Sequence, residues 1–279
     1  MKKILFPTDF SATADNAFLY ALSLTKKLDA ALTILHVYEL PELGRALKST
    51  TKEVYEMMEQ EAKDDFQKSL KNLKTLAQKN NISDVAFSEL IAEGDPVHKI
   101  AEITERHNID LVIMGTKGAS GIKEMFLGSI TTGVIDESNK PVLSIPEKTH
   151  FKDSIDKITY LTNYKDEEIN SFKAVCSFAE KFKAKMFCVH FDGDDSCANG
   201  EEMSAWKEKV NIKDTTVEYN VLKGNDFEKA LVEFKTEKQI DIIAIQPRKK
   251  NIFARLFSKS VSKSIAHHLN IPLFTMPKI

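Results

Sequence analysis

Ile109 to Thr131 runs IDLVIMGTKGASGIKEMFLGSIT. Leu111-Val112-Ile113-Met114 is a short apolar run, β-branched at its centre and bounded by Gly115, which predicts a buried strand. Gly118, Gly121 and Gly128 follow, and Ser129 opens a helical pattern with Ile130, Val134 and Ile135. A glycine loop between a strand and a helix start can hold an anion. The backbone approaches closely where no Cβ intervenes, N–H groups face the ligand, and the helix dipole favours negative charge. The spacing is G-x2-G-x9-G-S. It is neither a Walker A loop, which ends in Gly-Lys-Ser/Thr, nor G-x-G-x-x-G.

The rest of the chain repeats this strand–helix rhythm. Ile4-Leu5-Phe6 forms a strand ending at Pro7-Thr8-Asp9, and a helix follows over 12–29, with Ser11 or Thr13 placed to cap it. Ala31 to Val37 is a second strand. Residues 50–79 form a long charged helix with Val54, Met57, Met58, Phe66, Leu70, Leu73 and Leu76 on one face. Val85 to Ile91 alternates as a third strand, and Pro96 starts a helix that ends near His107. Pro141 to Ile145 closes the unit. Strands alternating with helices imply right-handed βαβ units, hence an α/β fold with a parallel open sheet and helices on both faces.

The second half repeats the first. Ile158 to His190 aligns on Ile4 to His36 at an offset of 154, and Ile240 to Pro277 aligns on Ile109 to Pro146 at an offset of 131. The difference removes about two dozen residues, which correspond to the long charged helix. We expect two tandem five-stranded units, 1–147 and 156–279, joined by a linker near Glu147 to Asp156.

Bulk composition narrows the function classes. Hydrophobic content of 42% and charged content of 29% suit a globular protein, and a net charge of −2 gives no reason to expect nucleic acid or an anionic membrane as partner. Cys176, Cys188 and Cys197 make no disulfide framework and no C-x2-C pair, which fits a reducing cytoplasm. No apolar run is long enough for a signal peptide or a transmembrane segment. His267-His268 are adjacent on a helix and His98 and His107 lie too far apart, so neither pair suits a metal. His36 and His190 recur at equivalent strand ends and read as structural histidines.

In an open parallel sheet, ligands sit beyond the carboxyl ends of the strands where strand order reverses. Pro7-Thr8-Asp9, His36-Val37-Tyr38 and Met114-Gly115 all end there. A carboxylate on one side and an anion-holding loop on the other suit a nucleotide.

With PTDFS after the first strand and Gly115-x2-Gly118-x9-Gly128-Ser129 after the fourth, the chain resembles the universal stress protein family in its tandem form. The resemblance implies a Rossmann-like, adenine-nucleotide-binding fold. It implies that Asp9 contacts ribose, that Val37 meets adenine through its backbone, and that Gly115, Gly118, Gly128 and Ser129 hold phosphates. Pro7, Thr8, Met114, Lys117, Ile130 and Thr131 would line the remainder. The implied ligand is ATP, with Mg, or AMP. The implied role is that of a cytoplasmic stress or regulatory protein with an unidentified protein partner. The last strand of each unit, Pro141 to Ile145 and Pro272 to Met276, would make an intramolecular pseudo-dimer, with further homodimerisation left open. No general base is placed, so no enzymatic activity beyond slow ATP hydrolysis is expected.

The second unit departs from the pattern. Asn163 stands at the position of Asp9, Gln246 at Gly115, Lys249 at Gly118 and Lys259 at Gly128, while Ser260 matches Ser129. Nucleotide binding of this kind is not expected there. The same segment, 248–263, carries six basic residues interleaved with Ile252, Phe253, Leu256 and Phe257, which reads as a solvated loop or an anion contact. Two other classes remain. One is a nucleotide-independent interaction module on the same scaffold. The other, an adenylating enzyme, would need a different loop after the first strand.

Overall fold

The computed structural model of the protein describes residues 1–40, 51–116, 128–193, 200–212, 217–247 and 270–277. Lys117, Gly118, Gly121, Cys197, the basic stretch 248–263 and His267-His268 lie outside the described residues. The elements run β1 (Lys3–Pro7), α1 (Ala14–Leu28), β2 (Ala31–Tyr38), α2 (Thr51–Lys79), β3 (Phe87–Glu93), α3 (Pro96–Arg106), β4 (Leu111–Gly115), α4 (Ser129–Glu137) and β5 (Val142–Ile145). The second half follows with β6 (Lys157–Leu161), α5 (Ile169–Glu180), β7 (Lys185–Asp192), α6 (Gly200–Val210), β8 (Val217–Lys223), α7 (Phe227–Lys238), β9 (Ile242–Ile245) and β10 (Leu273–Thr275).

The strands form one ten-stranded sheet in the order β3-β2-β1-β4-β5-β10-β9-β6-β7-β8. Each half is parallel and repeats the same internal order. The halves meet antiparallel, with Leu273 opposite Ser144 and Thr275 opposite Val142. Strand side chains alternate between two cores. Ile4, Phe6, Leu111 and Ile113 pack on the face with α1 and α2, and Leu5, Val112 and Met114 pack on the face with α3 and α4. The fold is thus α/β, Rossmann-like, with helices on both faces.

The offsets read from the sequence hold in space. β1 and β2 map onto β6 and β7 residue for residue, and the 29-residue α2 is replaced by the 11-residue α6. A ring cluster survives that replacement. Phe10, His36 and Phe66 pack together in the first half, and Tyr164, His190 and Trp206 do so in the second. His36 Nδ1 donates to the Thr8 carbonyl and His190 Nδ1 donates to the Thr162 carbonyl, each at 2.9 Å. Both histidines therefore tie one strand end to its neighbour.

Three local expectations shift. The third strand begins at Phe87, not Val85, because pairing with β2 begins at Leu32 opposite Phe87. Thr13 is the N-cap residue of α1 but carries helical dihedrals, and its side chain makes no capping bond. The apolar face of α2 is buried only from Phe66 onward, with Leu70, Leu73 and Ala77, while Met57 is 64% exposed.

Each half is also latched at the start of its first strand. Asp110 Oδ2 accepts from Lys2 N and Lys3 N at 2.6 and 3.1 Å, and Asp241 Oδ2 accepts from Asp156 N and Lys157 N at 2.9 and 3.0 Å. Burial pushes the Asp110 carboxyl up, but these two N–H groups, with the charges of the N-terminus and Lys140, outweigh it and hold it below the usual carboxylate range. A depressed folded-state pKa stabilises the fold above the unfolded pKa and stops doing so as pH falls through the folded value. Asp110→Asn should therefore cost about 1 kcal/mol at neutral pH, discounted for solvent screening. Urea unfolding should show the gap between wild type and variant closing below about pH 4.

Candidate functional site

The first half's strand order reverses at β1, which pairs with β2 on one side and β4 on the other. A cavity of about 260 Å³ opens there, beyond the carboxyl ends of these strands. From β1 it takes Pro7, Thr8 and Asp9, from β2 it takes Leu35 and Val37, and from β4 it takes Met114 and Gly115. Gly128, Ser129, Ile130 and Thr131 close it from the start of α4. Ten of the twelve residues named from the sequence thus meet in one cavity. The other two, Lys117 and Gly118, lie outside the described residues. Ala14, Leu35, Pro96 and Ile100 also line it. Sequence reasoning passed over these four because no motif marks them and only packing brings them to the cavity.

Local bonds fix this wall. Thr8 N donates to the Leu35 carbonyl at 2.9 Å, and Phe10 N donates to Thr8 Oγ1 at 3.0 Å. Asp9 Oδ1 accepts from Ser11 N at 3.1 Å and from Ser11 Oγ at 2.7 Å, which holds the exposed carboxylate at the cavity rim. On the far side, Gly128 N donates to the Thr116 carbonyl at 2.7 Å, and Thr131 Oγ1 donates to the Gly115 carbonyl at 2.9 Å. The Thr131 hydroxyl therefore ties α4 to β4. Gly128 is the N-cap of α4, and no side chain among the described residues caps the helix. The first N–H groups of a helix have no intrahelical partner and suit an acceptor in the cavity, where the helix dipole also favours negative charge. A Cβ on Gly128 would stand 3.3 Å from the Thr116 carbonyl oxygen, so a side chain there would crowd the close return of the chain to β4.

Residues 1–146 match the family described as the universal stress protein family, which is more than half of the chain. The chain belongs to the universal stress protein family. It is similar to universal stress protein MJ0577 of Methanocaldococcus jannaschii, at 32% identity over 161 residues, 53% of this chain and 96% of that one. It is similar to universal stress protein YxiE of Bacillus subtilis, at 33% identity over 146 residues, 51% of this chain and 97% of that one. A solved universal stress protein from Archaeoglobus fulgidus DSM 4304 superposes with a TM-score of 0.68 over 99% of this chain and 96% of its own, at 20% identity. That likeness shows that the fold is shared along both halves.

The second half of this universal stress protein rebuilds the corresponding corner. Glu168 stands where the first half has Ala14, and it is 3% exposed. Its Oε2 accepts from Thr162 Oγ1 at 2.7 Å, Asn163 N at 3.0 Å and Lys165 N at 3.3 Å. Lys165 occupies the position of Ser11, so Glu168 takes over the N–H that Asp9 holds in the first half. Gln246, at the position of Gly115, is buried, and its Oε1 finds no hydrogen-bond partner among the described residues. The loss of Asp9 thus goes with a carboxylate that reaches in from the helix side.

No group of three or more metal-ligating side chains gathers among the described residues. No described helix is long and apolar enough to cross a membrane. Cys176 and Cys188 are both buried, and burial pushes the Cys188 thiol well up. Removing Glu168 orphans several donors, so Glu168→Ala should cost about 2 kcal/mol in chemical denaturation.

Proposed function

We propose that the first-half cavity binds an adenine nucleotide, ATP with Mg or the AMP derived from it. The chain then acts in the cytoplasm as a stress-response or regulatory protein, by binding and not by turnover. The observation that carries this reading is the pairing across one crevice of the Asp9 carboxylate with the start of α4 after Gly128. The carboxylate accepts from ribose hydroxyls. The helix start, with Gly115, Gly118, Gly128 and Ser129, takes the phosphates. The Val37 backbone meets the base at the end of β2, and Lys117 adds positive charge near the phosphates.

Residues 1–147 and 156–279 act as two domains in this reading, the second supporting the first as a built-in pseudo-dimer partner. Glu168 and Gln246 occupy the corner that a nucleotide would need in the second domain, so one nucleotide binds per chain. Exchange between loaded and empty first domains alters the surface offered to a protein partner.

Purified protein, denatured and analysed for adenine nucleotide, should release about one equivalent per chain, and Mg-ATP should raise the melting temperature of stripped protein. Ala14→Glu imports the second half's carboxylate into the first cavity. It should abolish the thermal shift while circular dichroism stays unchanged. No bound nucleotide and no shift at about millimolar ATP would favour the nucleotide-independent interaction module.

A further inference from the structure

The long charged helix of the first half extends past the core that anchors it. Phe66 is the first buried residue of α2, and none of the described side chains from Lys52 to Asp65 is buried. Phe66 packs on Phe10, just beyond the carboxyl end of β1. The part of α2 before it, starting at Thr51, therefore runs about 22 Å past that level at the α-helical rise. Burial, and then the Glu59 and Glu93 carboxylates, push the Tyr38 hydroxyl above its usual pKa, which sets Glu59 beside the carboxyl end of β2. In the second half, α6 starts only at Gly200 and its Trp206 fills the place of Phe66. The fold is thus completed there without such an overhang.

The overhang is amphipathic and acidic. Val54, Met58 and Ala62 continue, at four-residue spacing, the stripe that Phe66 and Leu70 bury further along, and Met57 beside them is 64% exposed. Glu53, Glu56, Glu59, Glu61, Asp64 and Asp65 share these turns with only Lys52 and Lys63. Those lysines bridge Glu56 and Glu59 along the helix, and Lys68 bridges Asp65. Glu53 and Glu61 take part in none of these bridges. The chain carries the chemical complement elsewhere. Residues 248–263 hold six basic side chains and no acid, interleaved with Ile252, Phe253, Leu256 and Phe257. That stretch follows Gln246 and Pro247 at the carboxyl end of β9. Since β10 runs parallel to β9 and antiparallel to β5, this end of β9 lies at the opposite end of the sheet from the overhang.

We propose that the overhang of α2 is a docking surface for residues 248–263 of a second copy of this chain. Carboxylates meet basic side chains, and the stripe through Val54 and Met58 meets the interleaved apolar ones, so one sequence supplies both sides of the match. The two surfaces start from opposite ends of the sheet. The contact therefore joins copies head to tail and not as a closed reciprocal pair. A surface of about four helical turns is small, so the association is weak and falls with salt. It is separate from the first-half cavity and does not rest on the nucleotide reading.

Sedimentation velocity on the full-length chain reads this contact. The sedimentation coefficient should climb with protein concentration at about 20 mM salt and stay at the monomer value at about 500 mM. Glu53→Lys combined with Glu61→Lys, both at exposed positions, should hold the chain monomeric at low salt. Lys249→Glu combined with Lys259→Glu should do the same. Circular dichroism of each variant should match wild type. Mixed in equal amounts, the two variants should associate again, because each then supplies the charge that the other's surface requires. The proposal is overturned by a monomer at low salt, by association that persists in either variant alone or at high salt, or by a mixture that stays monomeric.

Discussion

The placement of β1 between β2 and β4 governs what the rest of the first half can do. One crossover leaves β1 toward β2 and the later one returns to its other side at β4. The helices that follow must then lie on opposite faces, and the carboxyl ends of β1 and β4 are left with a crevice that no helix fills. Everything chemical in the first half collects there. The strand ends present short polar segments to it, and the latch from His36 to the Thr8 carbonyl holds β1 and β2 in register at the rim. The start of α4 completes it, because Gly128 allows the chain to return to within hydrogen-bond reach of Thr116.

The two halves show how one scaffold is kept while its site is rewritten. What survives is mechanical. The Asp110 and Asp241 latches, the His36 and His190 bonds and the two ring clusters hold strands and helices together in both copies. What changes is the corner itself. The first half keeps Ala14 small and places its carboxylate at the rim on Asp9, whereas the second half brings the buried Glu168 carboxylate to the strand end. An acceptor for those backbone N–H groups is required in either case, since a buried N–H without a partner is costly. In the first half a rim carboxylate meets that need and leaves space. In the second an internal carboxylate meets it and takes the space.

The antiparallel meeting of β5 and β10 turns two sheets into one and leaves no open edge at their junction. It also sets the linker against α1. The same helix lines the first cavity with Ala14, holds the linker with Asn16 and walls a second cavity beside that linker with Tyr20. One helix thus touches both cavities and the joint between the halves.

Most of the architecture was legible in the residues. Apolar runs bounded by glycine and proline located the strands, and the two constant offsets revealed the duplication, because an α/β unit copied in sequence must repeat its hydrophobic rhythm. The glycine spacing and the Asp9 turn marked most of the first cavity. Residues that act only by proximity stayed hidden. Pro96 and Ile100 carry no motif, and the boundary of β3 depended on where β2 begins. The depth to which α2 is buried depended on what it packs against, so Met57 stayed in solvent despite its place in the apolar pattern. Local sequence determined the elements, their order and the chemistry at the ends of β1 and β4, since these follow from periodicity and from the conformational limits of glycine and proline. Only the tertiary structure decided that Glu168 fills the corner Ala14 leaves open, and that Tyr20 and Lys235 share a cavity. Those contacts join residues from different helices, strands and halves, and no spacing along the chain encodes the distance between them.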